Sequence, residues 1–182
     1  PQEPKAPFPY KVEEVLFANP KANNIKLAGT LTLPSEAKSP PVAILISGSG
    51  PQDRNEELLG HKPFLVLADY LTRNGIAVLR YDDRGVAASE GIQKDVTSAD
   101  FATDVEAAVN YLKTRKDINK KQIGLIGHSE GGLIAPVVIA NNKKDVAFFV
   151  SLAGPGLRGD QVLLPQMRKG AELQGAPEKE LN

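Results

Sequence analysis

Residues 122–142, QIGLIGHSEGGLIAPVVIANN, constrain the fold of this chain more than any other stretch. A short apolar run, Ile123-Gly124-Leu125-Ile126, passes through Gly127-His128-Ser129-Glu130-Gly131-Gly132 into a segment rich in small and apolar residues. The pattern is Gly-x-Ser-x-Gly between a strand-like and a helix-like segment. A serine held on so sharp a strand-to-helix turn needs neighbours without side chains, because strand and helix must pass close together there. The bare pattern turns up by chance in roughly one chain in fifteen of this length. The flanking strand and helix therefore decide for a candidate catalytic serine, Ser129, over a merely structural turn.

The rest of the chain supplies a setting for that turn. Residues 10–17 and 25–33 read as two strands around Asn19-Pro20 and Asn23-Asn24. Val42-Ala43-Ile44-Leu45-Ile46 is a continuous apolar run, as in a strand buried on both faces of a parallel sheet. Residues 63–74 place Phe64, Leu67, Ala68 and Leu71 on one helical face, and residues 76–81 form the next buried strand. Residues 98–115 carry an amphipathic stripe (Phe101, Val105, Ala108, Val109, Leu112) behind a Thr97-x-x-Asp100 capping signal. Residues 122–127 form the strand into the turn and residues 130–142 the helix out of it, which Pro136 should kink or restart. Residues 146–152 read as one more buried strand, and the remainder to Asn182 is polar and weakly periodic.

Strands alternating with helices after an N-terminal hairpin imply an α/β fold with a mostly parallel sheet and helices on both faces. Sites in such sheets lie beyond the carboxyl ends of the strands. The three chemically suggestive turns, residues 47–54, 82–89 and 127–131, all follow strands and should gather on that edge. The expected organisation is an extended proline-rich arm over residues 1–9, an α/β domain over residues 10–156, and a distinct segment over residues 157–182.

Composition removes several classes. With 22 basic and 22 acidic side chains the net charge is zero, so nothing points to nucleic acid or an anionic membrane. No apolar run is long enough to span a bilayer. Cysteine is absent, which excludes disulfides, thiolate metal sites and cysteine nucleophiles. Two isolated histidines form no zinc-like cluster. Phosphate-loop and dinucleotide-binding glycine patterns are missing too, so no cofactor is expected. The proline-rich start, Pro1, Pro4, Pro7 and Pro9, is compatible with an exported protein, periplasmic or secreted, and a cytoplasmic one stays open.

A serine nucleophile needs a base, an orienting acid and donors for the oxyanion. The turn itself would supply Ser129 and the backbone N–H of Glu130. The second donor should come from Ser47-Gly48-Ser49-Gly50, from the Ser49 N–H in particular. His128 precedes the serine, so its side chain should diverge from the hydroxyl and pack beside the turn. His61 precedes a helix and could approach the rim, but nothing in its spacing makes it a base. Asp145 lies before the last strand, at the wrong edge, and Asp160 reads as a solvated loop carboxylate. The Asp82-Asp83-Arg84 cluster would brace the oxyanion loop, line a substrate rim or form an ion pair shaping a tight turn, and the ion pair is preferred. Glu130 would contact substrate or counter Arg84.

Gly127-His128-Ser129-Glu130-Gly131-Gly132, Leu79-Arg80-Tyr81-Asp82-Asp83-Arg84-Gly85 and Ser47-Gly48-Ser49-Gly50-Pro51-Gln52-Asp53-Arg54 together resemble the α/β-hydrolase superfamily. The closest likeness is to bacterial serine esterases related to dienelactone hydrolases and to catalytic domains of prolyl-oligopeptidase-type peptidases. It covers roughly residues 12–156. The resemblance implies a carboxylester hydrolase working through an acyl-enzyme without metal or organic cofactor. Ser129 would be the nucleophile, with the Ser49 and Glu130 N–H groups as oxyanion hole. Related turns often read Arg-Gly-x-Gly-x-Ser, whereas Ala87 stands at the second glycine place here. The family also carries its acid and a terminal histidine on later strands, and no histidine follows Ser129. Base and acid are therefore expected outside this chain, which would carry an incomplete sheet, have little turnover alone and self-associate through its unpaired edge. Residues 157–182 would begin a cap or lid insertion, or form a disordered tail. Two other readings stay open: an inactive hydrolase-fold binding protein, and a peptidase or amidase sharing the same site.

Overall fold

The computed structural model describes residues 3–175. Residues 1 and 2 of the N-terminal arm and residues 176–182 of the C-terminal segment lie outside the described part. The elements are β1 (Tyr10–Asn19), β2 (Ile25–Pro34), β3 (Val42–Ile46), α1 (Pro63–Arg73), β4 (Ala77–Tyr81), α2 (Ser98–Thr114), β5 (Ile123–His128), α3 (Gly131–Asn141), β6 (Phe148–Leu152) and α4 (Gly159–Leu173). The sheet runs β1-β2-β4-β3-β5-β6, with β1 and β2 antiparallel and the β4-β3-β5-β6 block parallel. The expected α/β architecture with its mostly parallel sheet is what the chain forms.

Alternation along each strand sorts the core into two layers. Val42, Ile44 and Ile46 of β3, Leu79 of β4 and Leu125 of β5 face one side, where Val105 and Leu112 of α2 and Ala135 and Val138 of α3 pack on them. Ala43 and Leu45 face the other side with Val78 and Ile126, against Phe64 and Ala68 of α1. Strands covered on both faces have no polar face to show, hence their continuous apolar runs. The helix α2 opens with the expected capping box, Thr97 and Asp100 each accepting from the other's backbone N–H. The hairpin turn uses Asn23 and Asn24 in the left-handed region, at φ 54° and 59°.

One expectation is narrowed and one corrected. The helix α3 runs unbroken through Pro136, so of the kink or restart expected there the restart does not occur. The last strand is not buried. It starts at Phe148, and Phe148, Phe149 and Val150 are 36%, 36% and 41% exposed. A strand at the sheet edge has a neighbour on one side only, and among the described residues only β5 pairs with β6. Beyond residue 157, α4 occupies Gly159–Leu173 with none of its residues buried. No helix among the described residues is long and apolar enough to cross a membrane.

Candidate active site

The carboxyl ends of β3, β4, β5 and β6 lie on one sheet edge because the four strands are parallel. Ser129 follows β5 directly and sits at φ 50°, in the left-handed region that L-residues avoid. Its N–H donates to Leu152 O at 3.0 Å, and its carbonyl accepts from Gly132 N at 2.9 Å, so both sides of the turn are fixed. The sharpness has a steric cause. A Cβ on Gly127 would lie 2.2 Å from Gly131 O, and one on Gly131 would lie 2.3 Å from Ile46 O. Strand β5, helix α3 and the end of β3 thus touch backbone to backbone, and only glycine fits at either position.

Ser49, Ser129 and Glu130 line a common pocket of about 320 Å³. Its other walls are mainly apolar, from Leu133, Ala153 and Pro155 and from Val162 and Leu163 of α4. Among the described residues, neither the Ser49 N–H nor the Glu130 N–H donates to a protein acceptor. The Glu130 carboxylate accepts from Ser98 Oγ at 2.6 Å, so it does not counter Arg84.

The acidic turn after β4 corrects a further expectation. Its charges do not pair among themselves. Asp82 binds Arg54, with Nε to Oδ1 at 3.0 Å and Nη2 to Oδ2 at 2.7 Å, and Arg54 reaches on to Thr30 and Glu14 of the hairpin. Arg84 turns inward to Asp104 of α2. Asp83 accepts from Ser47 Oγ at 2.8 Å and from Gln52 N at 3.1 Å, which makes it the brace of the loop carrying Ser49. In the same turn Ala87, at the second glycine place of the Arg-Gly-x-Gly-x-Ser pattern, adopts the left-handed φ of 46°.

Burial pushes the Asp83 carboxyl up to about 7; the bonds from Ser47 and Gln52 oppose this, and the negative charges of Asp104 and Glu130 add to it. The folded state then keeps a proton that an ordinary aspartate, at 3.8, has already released. Stability should therefore fall as pH rises from about 4 to 7 and level off above that window. Asp83→Asn copies the neutral acid, since its amide can donate to Ser47 Oγ while its carbonyl accepts from Gln52 N. Urea midpoints at pH 5 and pH 8 should separate the two proteins: the variant gains on the wild type at the higher pH.

The remaining sequence candidates scatter. His61 borders a separate, larger hollow on the outer face of α1, with Val66, Leu67 and Tyr70, and not the Ser129 pocket. Asp145 pairs with Lys113 at 2.7 Å before β6, at the opposite edge, and Asp160 pairs with Arg158 in the open. His128 does diverge from the pocket: its Nδ1 lies 2.7 Å from Glu56 Oε1. Glu56 was missed from the sequence. It sits in a polar loop with no spacing signal, and only its burial, at 7% exposure, marks it. No group of three or more His, Asp or Glu side chains among the described residues is arranged to hold a metal.

Comparisons with known proteins match this geometry to a family. The model of the serine aminopeptidase S33 family matches residues 62–177. The esterase EstD of Thermotoga maritima is 30% identical over 142 residues, covering 78% of this chain and 34% of that protein. The crystal structure of the α/β hydrolase GrgF from Penicillium is similar at TM-score 0.67 and 24% identity, covering 91% of this chain and 56% of that one. A Pyrococcus furiosus esterase gives TM-score 0.69 at 22% identity, covering 98% and 63%. The chain thus spans about a third of the length of EstD and somewhat over half of those structures. The match over residues 62–177, which runs from α1 through the Ser129 turn and α4, places the chain in the serine aminopeptidase S33 family of α/β-hydrolases.

Proposed function

We propose that this chain carries the nucleophile and the oxyanion hole of a serine carboxylester hydrolase, with the base and its acid supplied from outside residues 1–182. One observation carries the reading: a strained serine shares a pocket with Ser49 and Glu130, whose backbone N–H groups have no protein acceptor among the described residues. The Ser129 hydroxyl attacks the ester carbonyl carbon and its proton passes to the base. The Ser49 and Glu130 N–H groups hold the oxyanion, worth about 3 kcal/mol per donor in the transition state. The alcohol leaves with the proton, and water then hydrolyses the acyl-enzyme. The mainly apolar walls and modest volume of the pocket favour small or medium acyl groups.

A fluorophosphonate probe added to the intact protein is expected to label Ser129, located by peptide mass spectrometry, and to leave Ser129→Ala unlabelled. Absence of labelling would favour the inactive binding protein. The family's description as serine aminopeptidases supports a second reading, cleavage of an aminoacyl amide at the same site. A panel of matched esters and aminoacyl anilides decides between the two. The exposed β6 edge supports self-association of the 182-residue chain by strand pairing. Light scattering that gives a monomer mass at high concentration rejects it.

A further inference from the structure

Glu56 stands out beside the loop and the turn already described. Its backbone is in the left-handed region at φ 52°, though it is not glycine. A local turn imposes this: Glu56 N donates to Asp53 O at 2.9 Å, while Asp53 Oδ1 accepts from Asn55 N and Glu57 N at 3.0 Å each. The turn drives the carboxylate inward. There a single oxygen, Oε1, accepts from Gly48 N at 2.7 Å and lies 2.7 Å from His128 Nδ1. A carboxylate has no proton to give, so His128 Nδ1 is the donor of that bond. One oxygen atom therefore joins the loop after β3 to the last residue of β5.

The crowding around Gly48 shows how tight the junction is. A Cβ there would lie 3.2 Å from Ser129 Cβ, 3.3 Å from Glu56 Oε1 and 3.4 Å from His128 Nδ1. Gly48 is the one residue between Ser47, which Asp83 anchors, and Ser49, which lines the pocket. The Gly48 N–H belongs to the peptide just before the one that carries the Ser49 N–H, so its bond to Glu56 fixes where the loop enters the pocket wall. The bond to His128 ties the same oxygen to the residue preceding Ser129 and Glu130.

We propose that Glu56 is a positioning residue that sets the spacing between the two oxyanion donors, Ser49 N–H and Glu130 N–H. It does so by sharing one carboxylate oxygen between Gly48 and His128. The inference rests on the serine-hydrolase reading above and adds a residue that touches neither substrate nor nucleophile. Displacing a donor by about 1 Å can cost on the order of 10²-fold in rate.

The experiment measures p-nitrophenyl ester hydrolysis by the intact protein, with active sites counted by fluorophosphonate titration. Glu56→Ala should lower kcat per titrated site about 10²-fold, with KM within about twofold. Glu56→Gln, whose amide oxygen can accept both bonds, should stay within about fivefold of wild type. Glu56→Asp, one methylene short, should behave like the alanine variant. The contrast between Gln and Asp decides the matter even if the alanine variant does not fold. A merely structural role predicts another pattern, a smaller titratable fraction and lower melting temperature with kcat per site unchanged, and that pattern would overturn the proposal. So would equal activity of the Gln and Asp variants. Wild-type protein that takes no label at Ser129 instead removes the serine-hydrolase reading, and this proposal with it.

Discussion

Ser129→Ala should reduce ester turnover by the intact protein about 10⁴- to 10⁶-fold, the range set by losing a nucleophile whose partners act only through it. The fold should survive. No hydrogen bond through Ser129 Oγ is found among the described residues, and the turn is held by its backbone bonds to Leu152 and Gly132. Alanine keeps the left-handed strain of the serine, so its melting temperature should stay close to wild type. Ser129→Gly relieves the φ of 50° and should be more stable by about 1 kcal/mol while equally inactive. Kinetics beside thermal denaturation check both. An inactive but stabilised glycine variant identifies strain held for chemistry, and a destabilised one rejects that account.

Asp104→Ala should carry the largest stability loss, about 3–5 kcal/mol. Asp104 is 1% exposed and forms a two-pronged pair with Arg84, Nε to Oδ2 at 2.7 Å and Nη2 to Oδ1 at 2.9 Å. Its Oδ1 also accepts from Asn19 Nδ2 at 2.6 Å, at the end of β1. Truncation leaves a buried guanidinium without its carboxylate and leaves the Asn19 amide with Thr103 Oγ1, at 2.8 Å, as its remaining acceptor. The remaining partners of Arg84, the Asp100 carbonyl and Thr103 hydroxyl, carry no charge to replace it. For a chain of this size the loss corresponds to roughly 6–20 °C in melting temperature. Replacing both members together, Arg84→Met with Asp104→Leu, should recover much of it, since apolar isosteres leave no charge to desolvate. Denaturant titration of the single and double variants checks both statements.

The sheet was readable because burial on both faces writes itself into continuous apolar runs such as Val42–Ile46. The turn was readable because steric exclusion at Gly127 and Gly131 leaves a fixed pattern around Ser129. What escaped reading depends on contacts distant in sequence. Arg84 finds Asp104 twenty positions on, Arg54 finds Asp82, and Glu56 finds His128 across 72 positions. No periodicity encodes such pairs, so the ion pair expected within residues 82–84 was placed on the wrong partners. The exposure of β6 was misjudged for a related reason. Phe148, Phe149 and Val150 have the composition of a central strand, and composition does not say how many neighbours a strand has.

The backbone contact at Gly127 and Gly131 also bears on how such a chain would age once released from selection for activity. Packing demands these glycines whether or not anything is hydrolysed, because the end of β3 touches Gly131 in either case. Packing makes no such demand at position 129, where the serine is tolerated at a strained φ. A descendant that lost its chemistry would therefore shed the serine first and keep the glycines, leaving a turn shaped for a nucleophile it no longer carries. Between a working hydrolase and its retired copy, the glycines are silent and the serine is the residue that testifies.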